Sequence, residues 1–284
     1  MSLLTSACAL ILAVMAPTSA ATLPREARPG DVFLSVVSLL PQDGTISAHE
    51  PLVAHIKLTN LTTEELKFLH YSMRLEVYDS NGRLVGATPR WPLPGDLLVG
   101  VLRIPAGGSL TRWVVLSALY QFRKPGDYTV RVQQLIPSEG LPVLAEAATQ
   151  VRVLPFDGPR LRARCEEIFA PWRSFGRTRA RIPRNPSAFP MRTRLQAIYS
   201  IRHDAVLPYL SLIAREWVGT SENWPATVSI RRIGSKRSEE LFSTLTARRD
   251  KVGKVARMVA KERLGEVDDW YVGDEWQSEN SSRD

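Results

Sequence analysis

The densest chemistry in this chain is a run of guanidinium groups. Arg173, Arg177, Arg179, Arg181, Arg184, Arg192 and Arg194 fall within residues 173–194, where there is no Asp or Glu. Arginine in preference to lysine favours forked contacts to phosphate or carboxylate oxygens. Trp172, Phe175 and Phe189 are interleaved with these cations. Such a stretch suits a docking loop for an anionic envelope polymer, for example a phosphorylated or carboxylated glycan. The plain alternative is a solvated loop that wraps the β-rich half or meets the acidic tail. Downstream, Arg231, Arg232, Lys236, Arg237, Arg248, Arg249, Lys251 and Lys254 offer a second basic surface. The binding set read from these two regions is Arg173, Arg177, Arg179, Arg181, Arg184, Arg231, Arg232 and Arg237. Trp270 and Trp276 join it, because aromatics among Asp268, Asp269, Asp274 and Glu275 suggest a short docking segment.

Other reactive residue types lack the spacing their chemistry needs. His49 and His55 are six apart with Pro51 between them. Helical zinc-protease histidines stand four apart, so these, and His70, read as edge and surface residues. No metal site and no cofactor are expected. Cys165 lies on an apolar helical stripe and reads as a small buried hydrophobe rather than a nucleophile. His203-Asp204 has no nucleophile at a recognisable spacing, and Asp204 reads as a cap for a helix over Ala205–Trp217. The pairs Glu166-Glu167 and Glu239-Glu240 are neighbours on helices that point apart, and read as solvated.

Charge divides the chain. Residues 31–157 carry 11 Lys and Arg against 12 Asp and Glu, residues 158–265 carry 23 against 9, and residues 266–284 carry 1 against 7. A near-neutral module, a basic one and an acidic tail follow one another. The basic module attracts polyanions. Ser2–Ala20 has the apolar run and small-residue end of a secretory signal peptide, although its first residues include no Lys or Arg. The competing reading is a buried N-terminal helix. Cleavage would remove Cys8 and leave Cys165 alone, so no internal disulfide is expected. The expected location is periplasmic or secreted. No later stretch is apolar enough to span a membrane.

The elements that must position these residues change character near Phe156. Before it, alternating apolar and polar residues recur between turn signals at a spacing of roughly 8–12 residues. Leu52, Ala54, Ile56 and Leu58 alternate with Val53, His55, Lys57 and Thr59, and Met73, Leu75 and Val77 repeat the pattern. Asn81-Gly82 is a hairpin signal. Pro125-Gly126 makes a turn into a strand in which Tyr128, Val130 and Val132 face one way. The segment Pro125-Gly126-Asp127-Tyr128-Thr129-Val130 resembles a late strand of bacterial Ig-like domains, whose tyrosine bonds back across a corner. That resemblance covers residues 31–154 and implies an antiparallel β-sandwich with a binding or supporting role.

After Pro155-Phe156-Asp157-Gly158-Pro159 the periodicity becomes helical. Leu161, Cys165, Ile168, Phe169 and Trp172 form one apolar stripe. The segment Ala197–Leu210 aligns with Ser229–Phe242 at an offset of 32 residues, pairing Ile198 with Ile230, Ile201 with Ile233 and Leu210 with Phe242. Ile213 and Leu245 continue the match, and a partial third copy starts near Val252. This resembles HEAT-type helical repeats over residues 188–265. The resemblance implies a concave partner-binding surface, here a basic one. So few repeats need something to dock on, since each buries its apolar face only against neighbours.

The expected organisation is a signal peptide (1–20), an extended lead-in (21–30), an Ig-like sandwich (31–154) and a linker (155–160). A capping helix with the Arg-rich loop (161–187), HEAT-like repeats (188–265) and an acidic aromatic tail (266–284) follow. The tail is expected to fold back on the basic half, with Gln277–Asp284 disordered. The fold class is all-β plus all-α. The functional expectation is a non-enzymatic exported binding or scaffold protein whose partner is a protein or an anionic glycan of the bacterial envelope, not nucleic acid. Two alternatives stay open. One is an envelope hydrolase with a site assembled from residues such as His203, Glu216 or Glu222. The other is a secreted protease inhibitor with Trp91–Gly95 or Ser138–Pro142 as bait.

Overall fold

The computed structural model describes residues 25–26, 28, 30–69, 73–85, 101–136, 143–175, 191–217, 222–261 and 277–278. Their strands are β1 (Arg25–Glu26), β2 (Val32–Leu40), β3 (Thr45–Ser47), β4 (Val53–Asn60), β5 (Leu66–Leu69), β6 (Met73–Asp79), β7 (Val101–Ile104), β8 (Ser109–Val115), β9 (Gly126–Ile136), β10 (Val143–Leu154) and β11 (Gln277–Ser278). Their helices are α1 (Leu116–Leu119), α2 (Gly158–Phe175), α3 (Met191–Ser200), α4 (Leu207–Glu216), α5 (Asn223–Ile233), α6 (Lys236–Ala247) and α7 (Lys251–Lys261). The first half is therefore β-rich and the second helical.

The strands form two four-stranded sheets, β11-β8-β4-β2 and β3-β10-β9-β6, and a small sheet β1-β5-β7. Pairing is antiparallel except for β1 with β5 and β3 with β10. Alternation along the strands sends Leu34, Ala54, Ile56, Leu58 and Val114 of one sheet, and Leu75, Val77, Tyr128, Val130, Val132 and Val151 of the other, into a single core. Gly44 ends the turn after Pro41 at φ 65, and the Asn81-Gly82 turn uses φ 71 at Gly82. Both conformations cost glycine nothing. In the chain that enters β9, the Tyr128 hydroxyl donates to the Lys124 carbonyl at 2.8 Å while its ring is buried.

At one end the outer face of β4 and β8 is apolar as well. Val53, Trp113 and Val115 share a second core with Leu161, Cys165, Ile168 and Phe169 of α2 and with Leu195 and Ile198 of α3. The α2 stripe is buried from Leu161 to Trp172. This helix begins at Gly158 rather than at 161, because the Asp157 carboxylate accepts from the Arg160 amide at 3.0 Å. The pairs α3–α4 and α5–α6 recur at the 32-residue offset, with Ile198 and Ile230, and Ile213 and Leu245, fully buried. Gly234 at φ 68 closes α5, and Ser235 caps α6 through a reciprocal capping box with Ser238. These are ordinary stop and start devices for adjoining helices.

Two expectations need correction. Gln277–Ser278 is not disordered: it pairs antiparallel with Thr111 and Leu110, where the edge of β8 supplies free backbone groups. The described part of the tail thus returns to the sheet rather than to the basic half. Asp204 is not the helix cap. The His203 ring Nδ1 accepts from the Ala205 amide at 3.1 Å, a 3-10 turn over Asp204–Val206 precedes α4, and the Asp204 carboxylate takes the Ser235 hydroxyl instead.

Replacing Tyr128 with Phe keeps the ring in the core and removes the bond to Lys124. The expected loss is about 1 kcal/mol of unfolding free energy, the usual net worth of one such bond, read from urea unfolding of both proteins. An unchanged midpoint would show that the corner bond does not hold β9.

Candidate functional site

The basic surface is built on the last three helices. Residues 223–261 contain ten Lys and Arg against three Asp and Glu. Helix α7 separates its residues cleanly: Val252, Gly253, Ala256 and Val259 are buried, while Lys251, Lys254, Arg257, Met258 and Lys261 are exposed. Its exposed face carries no acid. A groove of about 720 Å³ runs between α6 and α7, lined by Arg231, Glu239, Phe242, Thr246, Arg257 and Lys261 among others.

Local bonds hold this groove open. Arg231 donates to the Val259 carbonyl at 2.5 Å, tying α5 to α7. Arg257 donates to the Thr246 and Arg248 carbonyls at 2.8 and 2.7 Å, so it satisfies the otherwise orphaned end of α6. Arg257 makes both contacts through one nitrogen, which leaves its charge and its other N–H donors for a ligand. Asp250 caps α7 through the Gly253 amide at 3.2 Å and pairs with Arg248 at 2.5 Å. The Arg248 bond and the Gly253 amide hold its carboxyl down to about 2. Arg248 is thus committed to the turn.

The sequence-derived binding residues divide accordingly. Arg231 lines the groove, Arg232 is half-buried on α5, and Arg237 is exposed in the first turn of α6, away from the groove lining. Arg173 stands on α2, but its side chain lies outside the described residues. Arg177, Arg179, Arg181, Arg184, Trp270 and Trp276 lie outside them entirely. Sequence reasoning missed Arg257 and Lys261. The spacing Lys251, Lys254, Lys261 against buried Val252, Ala256 and Val259 was the signal available for them.

A second polar cluster lies where the β-rich half meets the helices. Glu50 is buried, and its carboxylate accepts from Arg160 Nε at 3.1 and 3.2 Å and from the Ser47 amide at 2.6 Å. Arg160 Nη2 also donates to the Thr45 carbonyl at 2.7 Å. The Ser117 and Ser200 hydroxyls lie 2.9 Å apart, and Gln121 Nε2 donates to the carbonyls of both residues. Beside them the rings of His49, Phe156 and His203 touch, with centroids 4.7–5.8 Å apart.

The remaining candidates are engaged separately. Glu222 accepts from the Tyr199 hydroxyl at 3.0 Å, Glu216 is exposed at the end of α4, and His203 caps the 3-10 turn. His55 stacks on Trp113 at 4.3 Å, and His70 lies outside the described residues. Burial, with Glu50 nearby, pushes the Cys165 thiol up to about 12, which removes the thiolate a nucleophile needs. Among the described residues no group of three or more His, Cys, Asp or Glu could hold a metal ion, and no helix is long and apolar enough to cross a membrane.

No family model matches the chain, and no curated protein matches its sequence. Among solved structures it is similar to the alkylpurine DNA glycosylase AlkC of Pseudomonas fluorescens, at 17% identity over 44% of this chain and 31% of that chain, with a TM-score of 0.27. It is similar to the CARDB domain of the PF1109 protein of Pyrococcus furiosus, at 12% identity over 48% of this chain and 97% of that one, with a TM-score of 0.27. A β-glucosidase of Listeria innocua matches at 16% identity over 44% of this chain and 16% of that chain, with a TM-score of 0.25. The chain thus spans under a third of the glycosylase and under a fifth of the glucosidase. Likenesses this slight decide neither fold nor function.

Two substitutions test the geometry. Arg160→Met strands the buried Glu50 carboxylate, with an expected loss of about 2–3 kcal/mol in urea unfolding that a second change, Glu50→Gln, partly restores. A Cβ at Gly253 would overlap the Arg248 carbonyl oxygen. Gly253→Ala should therefore cost about 1–3 kcal/mol and force α7 away from α6, measured by thermal unfolding and by amide exchange in α7.

Proposed function

We propose that the chain is an exported, non-enzymatic binding or scaffold protein of a bacterial envelope, whose basic helical module docks an anionic polymer. The β-rich half is read as an Ig-like sandwich. In support, β2, β4 and β8 stand together as the A, B and E strands of such domains do, and β6, β9 and β10 as C, F and G. The Tyr128–Lys124 bond occupies the corner position of that fold. The helical half is read as a short HEAT-like array, supported by the helix pairs at the 32-residue offset. Export rests on the Ser2–Ala20 pattern alone, which lies outside the described residues.

The observation that carries the docking role is the groove between α6 and α7. Three cations, Arg231, Arg257 and Lys261, line it together with the ring of Phe242. Lys251 and Lys254 extend the charge along the exposed face of α7. A chain of carboxylate or phosphate groups laid along this groove meets the two guanidiniums and the Lys261 ammonium in turn. The Arg177–Arg184 stretch, which lies outside the described residues, adds to the net positive charge of the same half.

The test is binding of the full chain to a polyuronate, with a neutral glucan as control. Neutralising about three cations predicts a fall in affinity of about 10- to 100-fold between about 50 and about 200 mM salt. The charge-reversed Lys254→Glu/Lys261→Glu protein should bind at least about tenfold more weakly, and the Arg177, Arg179 and Arg181 alanine variant measurably so. Salt-independent binding, no binding, or unchanged binding by the charge-reversed protein would sink the reading. Selective capture of a protein partner would replace the polymer by an acidic surface.

A further inference from the structure

The turn that leads into β4 places His49 at φ 73, a left-handed conformation uncommon outside glycine, in which asparagine, aspartate and histidine are the most frequent exceptions. Its amide donates to the Phe122 carbonyl at 3.1 Å, which sets the ring against the loop between α1 and β9. There the ring meets His203, from the far side of the chain, at a centroid distance of 5.6 Å. Phe156 of the linker closes the contact, 4.7 Å from His203 and 5.8 Å from His49. One ring cluster therefore joins the β-rich half, the linker and the helical half.

The groups facing this contact are cationic. Arg123, which follows Phe122 in the α1–β9 loop, acts on His49 and also on the guanidinium of Arg202, the residue before His203. The nearby carboxylates are committed elsewhere: Glu50 to Arg160 and the Ser47 amide, Asp157 to the Arg160 amide, and Asp204 to the Ser235 hydroxyl. His49 Nδ1 is buried and has no hydrogen-bond partner among the described residues. His203 Nδ1 must keep its lone pair to accept from the Ala205 amide, so its neutral ring carries the proton on Nε2. A proton on His49 Nδ1 therefore meets the Arg123 cation and finds no acceptor among the described residues.

We propose that His49 and His203 form an acid-sensitive latch between the helical half and the sheet, closed at neutral pH and opening more often, as a minor state, in mild acid. The direction follows from His49. Burial first, then His203 and Arg123, lower its proton affinity below the ordinary 6.5. A group lowered in this way is more protonated in the opened state than in the closed one. The closed seam is therefore fully favoured above about 6.5 and loses that advantage as the pH falls toward the lowered value. Parting exposes Val53, Trp113 and Val115 on the sheet and Cys165 on α2, which share the covered core.

Cys165 supplies the readout. In the full chain with Cys8→Ser it is the remaining cysteine, since the sequence has two. Its labelling by 4,4′-dithiodipyridine, a reagent active in mild acid, is measured at about pH 7.5 and about pH 5.5, each rate divided by that of the denatured chain at the same pH. The relative rate should rise several-fold at the lower pH, because the opened state takes up the proton that the closed seam disfavours. His49→Asn keeps a residue that tolerates positive φ, and His203→Asn keeps a capping acceptor, so both preserve the local backbone. Each should flatten the acid response. A flat response in the parent, or the same rise in both variants, overturns the latch.

Discussion

Every residue of β8 is buried, on both faces of its sheet. Leu110 and Val114 point into the core between the two sheets, and Trp113 and Val115 into the core beneath the helices. A strand with two apolar faces cannot leave either one in water. At about 25 cal/mol per Å² of apolar surface, leaving Trp113 and Val115 bare would cost several kcal/mol. The helical half is therefore a required cover rather than an appended module. The edge of β8 is closed in the same spirit, by Gln277 and Ser278 from the end of the chain. Both ends of the helical region are thus referred back to one strand.

Apolar contact sets the helices on the sheet, and polar groups settle where they sit. The Glu50–Arg160 pair links the turn before β4 to the first turn of α2, and Arg160 also takes the Thr45 carbonyl. The Ser117–Ser200 contact and Gln121 tie α1 to the end of α3. Buried polar groups of this kind add modest net stability but strongly disfavour any other docking angle, because a shift leaves them without partners. The two histidines belong to the same seam and differ from these pairs in one respect. Their contact is between rings, and burial lowers the proton affinity of His49 there.

The basic groove shows how charge and fold share side chains. Arg231 and Arg257 close helix ends and bridge helices, and the same guanidiniums line the groove. Asp250 removes Arg248 from that surface while starting α7. The α6–α7 turn is possible because Gly253 has no Cβ to meet the Arg248 carbonyl. Groove and scaffold are in this way made from one set of interactions, and a substitution in the groove reads out in stability.

The local periodicities were legible in the sequence because they are local. Alternation at Leu52–Leu58 and at Tyr128–Val132, the stripe from Leu161 to Trp172, and the 32-residue recurrence of Ile198 and Ile213 depend on backbone geometry over a few residues. Turn glycines such as Gly44 and Gly82 declare themselves for the same reason. The uneven charge, near neutral before residue 158 and basic after it, is also a property of sequence alone. What the sequence could not decide was long-range juxtaposition. Trp113-Val114-Val115 breaks simple alternation because both faces are covered, and nothing near it names the covering helix. Arg257 joined Arg231 through a helix crossing, and His203 rather than Asp204 became the cap because Ser235, one repeat later, claimed the carboxylate. His49 met His203 only after the sheet and the helices had packed. Such pairings are set by the burial of apolar faces against each other, a sum over many distant residues that no single stretch of chain contains.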